Sequence, residues 1–225
     1  DVVSGRFACF NGDIVSSLNV APMLEQHSQM NVKGSLALWE VEDPTRFGIV
    51  GVDDRNIVTQ FKEKPKAEEV FSNLINAGSY ILEEEVFDIM PHGKHSLERD
   101  VFPVLAEEGS LAGFPFEGYF IDAGTPTSWH EGVKRCIEER RFNTGTSSNG
   151  SWHQSKLTNS VNSMVQDDCV VLGEVKESTL LKGAQVEEGA SITNCLIGEG
   201  AIIGKNAKLS GVIVGHRQVV PSGHI

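Results

Sequence analysis

Ala184-x-Val186 recurs six residues on as Ala190-x-Ile192, and Ala201-x-Ile203 six on as Ala207-x-Leu209. A six-residue period with one small and one aliphatic inward position points to a parallel β-helix, whose coils stack their aliphatic side chains on one another. Gly183, Gly189, Gly198, Gly200, Gly204, Gly211 and Gly215 punctuate the run, as expected where only small residues fit the corners. The period fails between Ile192 and Ile197, so a loop or a register shift is expected there. Generic β-rich sequence is the plainer alternative, and it does not account for the repeat. The expected β-helix spans 157–225.

Upstream the pattern is different. Phe7 to Phe10, Gly34 to Val41, Leu74 to Leu82, Leu111 to Phe116 and Tyr119 to Ile121 read as strands. Phe47 to Val52 and Ile57 to Lys62 flank Asp53-Asp54-Arg55-Asn56, a hairpin by turn chemistry. Asn19 is placed to cap a helix with Pro22 near its first turn and Met23, Leu24, His27 and Met30 at helical spacing. A short helix is expected from about Glu84 to Met90, and another after Ser96, whose hydroxyl can cap it. Thr125 caps a last helix with Pro126 at its first position and Trp129, Val133, Cys136 and Ile137 as its buried stripe. Strands alternating with helices predict an α/β domain over 1–142. Asn143 to Ser155 is rich in Ser, Gly, Asn and Thr, which predicts a linker over 143–156.

The chain of 225 residues carries 19 Lys+Arg against 31 Asp+Glu, a formal net charge of −12. With no basic block, a nucleic-acid partner is not expected. The apolar runs are strand-sized, so no membrane span is expected. Cys9, Cys136, Cys169 and Cys195 are scattered without a C-x-x-C pair, which suits reduced thiols and a cytoplasmic location. The sequence opens at Asp1, enters a strand within a few residues and contains no phosphate-cradling glycine motif. The expectation is that the amino-terminal part of a longer domain is missing.

Two apolar runs lead to carboxylates: Phe7-Ala8-Cys9-Phe10-Asn11-Gly12-Asp13, and Tyr119-Phe120-Ile121-Asp122 before Ala123-Gly124-Thr125-Pro126. Ligands of open α/β sheets bind beyond the carboxyl ends of the strands. Magnesium takes one or two protein carboxylates and completes its shell with water and phosphate oxygens. Asp13 and Asp122 are therefore candidate Mg²⁺ ligands, although either alone reads equally as a turn or cap residue. Glu63-Lys64-Pro65 puts two charges at a strand tip, where the ammonium suits a substrate phosphate. Asn76-Ala77-Gly78 offers an amide and bare backbone, or is a bulge. Phe47-Gly48 offers an aromatic face beside accessible backbone. Glu98-Arg99-Asp100 reads as first-turn helix electrostatics, hence structural. His216 is the only candidate base for an acyltransferase of the β-helix type, and it lies near the chain end.

In order, Asn11-Gly12-Asp13, Phe47-Gly48, Glu63-Lys64-Pro65, Asn76-Ala77-Gly78, Glu98-Arg99-Asp100-Val101-Phe102-Pro103 and Asp122-Ala123-Gly124-Thr125-Pro126 resemble the sugar-phosphate nucleotidylyltransferases, the mannose-1-phosphate guanylyltransferases most of all. The resemblance implies a partial doubly wound, Rossmann-like nucleotidyltransferase domain followed by a left-handed β-helix of hexapeptide repeats. It implies Mg²⁺-dependent attack of a sugar 1-phosphate on the α-phosphate of an NTP, GDP-mannose being the first product expected. Asp13, Lys64 and Asp122 would be catalytic, with Asp13 and Asp122 on the metal. Gly12, Phe47, Gly48, Glu63, Asn76, Gly78 and Thr125 would bind substrate. Without the family's glycine-rich loop, the polypeptide alone is expected to be inactive, and to form homo-oligomers or associate with a missing amino-terminal segment. A non-catalytic regulatory subunit and a β-helix acyltransferase are the alternatives.

Overall fold

The computed structural model describes residues 4–138 and 160–225, so the expected linker, 143–156, lies outside the described residues. The chain divides into two compact units, Asp1–Phe120 and Ile121–Ile225. The last helix therefore belongs with the β-helix, some twenty residues before the composition change that marks the expected linker.

In the first unit, β1 (Phe7–Phe10), β2 (Ile14–Ser16), α1 (Val20–Met30), β3 (Gly34–Glu40), β4 (Gly48–Val52), β5 (Val58–Glu63) and β6 (Leu74–Leu82) follow one another. After them come α2 (Val86–Ile89), a π-turn at Leu97–Val101, α3 (Phe102–Glu107) and β7 (Leu111–Pro115). The main sheet runs β5-β4-β6-β3-β7, with β1 also pairing with β6. Only β3 and β7 are parallel; the other pairings are antiparallel. Alternation along β3 sends Leu36 and Leu38 to one face and Ala37 and Trp39 to the other. The first face packs under Phe102, Leu105 and Val86, the second under Met23 of α1. Burial on both faces explains why these strands are nearly continuous in apolar residues.

Asn19 caps α1 as expected, its Oδ1 accepting from Ala21 N at 3.1 Å. Met23 and His27 form the buried stripe of that helix, whereas Leu24 is 41% exposed. His27 ties the helix to the sheet. Its Nδ1 lies 2.8 Å from Ser35 Oγ and its Nε2 3.1 Å from Glu83 Oε1, while Arg6 Nε donates to the same carboxylate at 2.6 Å. Burial pushes the imidazole below its ordinary value, Arg6 acts in the same direction, and the Glu83 hydrogen bond opposes them without prevailing. The neutral ring thus donates from Nε2 to Glu83, and Nδ1 accepts from the Ser35 hydroxyl.

In the second unit, β8 (Phe120–Asp122) leads to α4 (Pro126–Glu138), and twelve short strands follow, β9 (Ser160–Val161) to β20 (Val219–Val220). They stack as three parallel sheets, β9-β12-β15-β18, β10-β13-β16-β19 and β11-β14-β17-β20, the three faces of a left-handed β-helix. Ala184, Val186, Ala190, Ile192, Ala201, Ile203 and Ala207 are all buried in its core, as the six-residue period requires. The break after Ile192 marks a coil shorter than three hexads. Thr179 pairs with Leu196 and Leu196 with Ile213, seventeen residues apart and one short of three hexads, whereas Met164 pairs with Thr179 only fifteen residues on.

The shortened corner is turned by residues in the left-handed region: Glu177 (φ 48), Asn194 (φ 53) and Gly211 (φ 66). Each donates its N–H to the coil before, Glu177 to Val161 O, Asn194 to Lys176 O and Gly211 to Thr193 O. Those ladder bonds offset the steric cost of a positive φ in a residue with a Cβ. Just inside the corner, Ser178 N donates to Ser163 Oγ, and Ser178 Oγ in turn takes the N–H of Cys195, both at 3.0 Å. Cys195 is thus a core residue, its thiol pushed up by burial. The helix α4 rests on this solenoid through His130 Nδ1, 2.9 Å from Thr179 Oγ1, and Lys134 Nζ, which donates to Asn194 Oδ1 at 3.0 Å.

His27 is held neutral in the fold, so the unfolded chain binds its proton more readily. The stability it contributes is complete above about pH 6.5 and falls as the pH drops below that value. Thermal unfolding between pH 7.5 and 5.5 should show this decline, and His27→Gln, which keeps both hydrogen bonds, should flatten it. An equally steep decline in the variant would assign the acid sensitivity elsewhere.

Candidate active site

The strand β6 pairs with β3 at Leu36↔Tyr80 and then at Leu38↔Asn76, so Ala77, Gly78 and Ser79 bulge between them. Gly78 has φ +66, and a Cβ there would lie 2.8 Å from Asn11 Nδ2 and 3.0 Å from Ile14 Cγ1. A residue with a side chain would need both an unfavourable backbone and occupied space. The turn Asn11-Gly12-Asp13 settles against this bulge, Asn11 N donating to Gly78 O at 2.8 Å. Asn76 Oδ1 accepts from Gly78 N at 3.1 Å. Both readings of Asn76-Ala77-Gly78 are met at once: it is a bulge, and it presents an amide. Gly12 and Asp13 are exposed beside it, three residues past the end of β1 in the case of Asp13.

Gly48 and Glu63 are register partners across β4 and β5. A Cβ on Gly48 would lie 2.8 Å from Glu63 Oε2 and 2.8 Å from Phe61 Cζ, so the glycine makes room for that carboxylate. Burial raises the Glu63 carboxyl above its usual range, and the charge of Glu98 adds to this; Lys64 and Arg99 oppose it. Lys64 takes φ 46, its N–H donating to Phe47 O at 2.9 Å, which ends the strand. Its ammonium stands 63% exposed, 3.8 Å from Glu63 Oε1. A non-glycine residue in the left-handed region beside a half-buried carboxylate is a local cost of a kind that gathers at functional sites. Phe47 is half-buried and meets Phe120 edge-on, ring centroids 6.2 Å apart.

Phe120 also stacks on Trp39, and Ser17 Oγ takes the N–H of Tyr119 at 2.9 Å. Asp122, two residues on, belongs to the second unit. Its Oδ1 accepts from Gly124 N at 3.0 Å. Thr125 caps α4 as expected, exchanging hydrogen bonds with Ser128: Ser128 N reaches Thr125 Oγ1 and Thr125 N reaches Ser128 Oγ, both at 3.2 Å. The first unit therefore brings Gly12, Asp13, Asn76 and Gly78 together along β6, and Phe47, Gly48, Glu63 and Lys64 together at the β4–β5 end, whereas Asp122 and Thr125 lie in the other unit.

One expectation needs correction. Ser96 does not cap the following helix with its hydroxyl; Ser96 Oγ donates to Glu98 Oε2 at 2.6 Å, and Ser96 N donates to Asp100 Oδ2 at 2.8 Å. Asp100 keeps the structural part expected of the acidic turn. Glu98 also takes the Tyr80 hydroxyl at 3.4 Å, and Tyr80 Oη accepts from Asn76 Nδ2 at 3.0 Å. Tyr80 was not among the expected site residues; a tyrosine in an apolar strand carries no mark of its hydroxyl's partner. His216 Nδ1 accepts from Glu199 N at 2.9 Å, a structural use of the ring within the solenoid.

The nucleotidyl transferase family model matches residues 2–139. The chain belongs to the nucleotidyl transferase family. A second model, GlmU-like, C-terminal hexapeptide, matches residues 150–225. Similar curated proteins include the glucose-1-phosphate adenylyltransferases of Bacillus mycoides (strain KBAB4) and Bacillus anthracis, each 29% identical over 96% of this chain. The chain spans 62% of the length of these relatives. A crystal structure of a Bacillus anthracis protein described as a glucose-1-phosphate thymidylyltransferase, in complex with a sucrose, is also similar. It is 25% identical with a TM-score of 0.51, over 58% of this chain and 54% of that one. Members of this family generally use a divalent metal.

Asp13 and Asp122 are each oxygen donors of the kind that magnesium takes. Among the described residues no group of three or more His, Cys, Asp or Glu is placed to hold a metal ion. Asp13 is an exposed oxygen donor, and Asp122 is half-buried with one oxygen turned to Gly124. One or two such carboxylates are the usual protein share of a magnesium shell.

Replacing Glu63 by Gln removes a charge that the fold disfavours and a strong acceptor. The carboxyl's folded value is raised, so the ionised form costs stability above the ordinary carboxylate range. Glu63→Gln should therefore unfold at an equal or higher temperature at pH 7. Calorimetric melting checks this; a lower melting temperature would place Glu63 among the structural residues.

Proposed function

We propose that the protein acts as a sugar-1-phosphate nucleotidyltransferase. A sugar phosphate oxygen attacks the α-phosphorus of an NTP, the bond from that phosphorus to the β-phosphate bridging oxygen breaks, and pyrophosphate leaves. Such chemistry asks little covalent work of the protein and much positioning and charge neutralisation. One observation carries the reading: the Glu63 carboxylate seated over Gly48, with the exposed Lys64 ammonium 3.8 Å away. That pair offers a sugar hydroxyl an acceptor and a phosphate a cation within the span of one hexose phosphate.

In this reading Lys64 neutralises the sugar phosphate and Glu63 accepts hydroxyl hydrogen bonds. Asn76 and the bare backbone at Gly12, Gly48 and Gly78 line the sugar, with Phe47 against its face. Asp13 in the first unit, and separately Asp122 in the second, are the residues that would hold Mg²⁺, which would supply charge neutralisation at the reacting phosphates. Each relative named above acts on glucose 1-phosphate by its description, so glucose 1-phosphate is the first sugar to test. Mannose 1-phosphate with GTP is the competing pair. A cytoplasmic location and a homo-oligomer remain part of the proposal.

Titration of the chain with glucose 1-phosphate, mannose 1-phosphate and glucose, each with Mg²⁺, is the decisive measurement, alongside pyrophosphate release with ATP, dTTP and GTP. Glucose 1-phosphate should bind saturably, and Lys64→Ala should weaken it about tenfold, some 1.4 kcal/mol, with little effect on glucose. Asp122→Asn should abolish the Mg²⁺ enhancement. Failure of every sugar 1-phosphate to bind would sink the proposal.

A further inference from the structure

The hydrogen bonds around Asn76 have a direction that the atoms force. The Glu98 carboxylate only accepts, so Ser96 Oγ and Tyr80 Oη both donate to it, at 2.6 Å and 3.4 Å. The phenol has a single hydrogen. Once it is given to Glu98, Tyr80 Oη can meet Asn76 only as an acceptor, so the Asn76 group 3.0 Å away is the NH₂. At the other end, Gly78 N donates at 3.1 Å and requires the amide oxygen. Both ends of the Asn76 amide are thereby fixed. One N–H is left over, on a half-buried side chain beside the Asn11–Asp13 turn.

We propose that Glu98 is a positioning residue for the sugar phosphate: through Tyr80 it locks the Asn76 amide so that its remaining N–H is presented to a hydroxyl oxygen of the bound sugar. This rests on the nucleotidyltransferase reading above and deepens it. Tyr80 is 1% exposed and packs against the Phe102 ring at 5.1 Å, so its hydroxyl is held in place by the core rather than by solvent. Burial raises the phenol well above its ordinary value, so it keeps the hydrogen the relay needs. The relay also connects the two carboxylates of the site, since Glu98 is the charge that helps hold Glu63 above its usual range. A sugar held between Glu63 and Asn76 meets an acceptor from one strand and a donor from another, a pairing that discriminates the orientation of its hydroxyls.

Tyr80→Phe keeps the ring and removes the acceptor, so it tests the relay without altering charge. Side-chain amide resonances of Asn76, assigned against Asn76→Ala, should shift in Tyr80→Phe and in Glu98→Ala; unchanged resonances in both overturn the relay. Glucose 1-phosphate titrated by calorimetry should bind Tyr80→Phe about tenfold more weakly than the parent. In the Asn76→Ala background the same substitution should cause no further loss. Equal losses in the two backgrounds would show that Tyr80 acts otherwise, and would overturn the inference alone. Glu98→Gln keeps an accepting oxygen but not the charge, so it should retain most of the affinity and move the acid limb of binding toward the ordinary carboxylate range. If the parent binds neither glucose 1-phosphate nor mannose 1-phosphate, the function proposed above fails and takes this inference with it.

Discussion

A buried strand that leaves its register for three residues still has to satisfy every backbone group it releases. That requirement shapes the first unit. Where β6 leaves its register at Ala77–Ser79, the N–H of Gly78 goes to the Asn76 side chain and its C=O to the N–H of Asn11. The repair brings the Asn11–Asp13 turn onto the bulge, so one accounting demand assembles an amide, a bare glycine and an exposed carboxylate on one strand edge. Gly78 is what permits it, because the positive φ and the closeness of Asn11 leave no place for a Cβ.

The charges of the site follow a different logic. Burial and the nearby charge of Glu98 raise the cost of ionising Glu63 in the fold, and Lys64 and Arg99 only partly offset it. Lys64 also adopts a backbone conformation that lysine rarely takes. A region shaped for stability alone would have neither. Local disfavour of this sort, kept in place by a well-packed core of Leu36, Leu38, Tyr80 and Phe102, is the relation expected between a scaffold and the groups it presents to a ligand.

Much of this was legible from the residues. The limits of β6, the hairpin around Asp53–Asn56, the caps at Asn19 and Thr125 and the buried positions of the solenoid all rest on local chemistry, and local chemistry decided them. Tyr80 and Glu98 were not legible as a pair, because nothing in an apolar strand or an acidic turn tells which hydroxyl will meet which carboxylate eighteen positions away. Ser96 looked like a cap because serine before a helix normally is one; a nearer carboxylate took its hydroxyl. The grouping of α4 with the solenoid depends on His130 and Lys134 finding Thr179 and Asn194, contacts with no local signature.

The seventeen-residue coil has a consequence for how such a chain can change. Its corner residues, Glu177, Asn194 and Gly211, each donate their backbone N–H to the coil before, and its core side chains stack on the layers above and below. Excising one of the seventeen-residue turns would rejoin like with like, leaving every column of side chains in line. The solenoid's length can consequently change in whole steps, a ruler whose graduations evolution can add or strike out without redrawing those that stay.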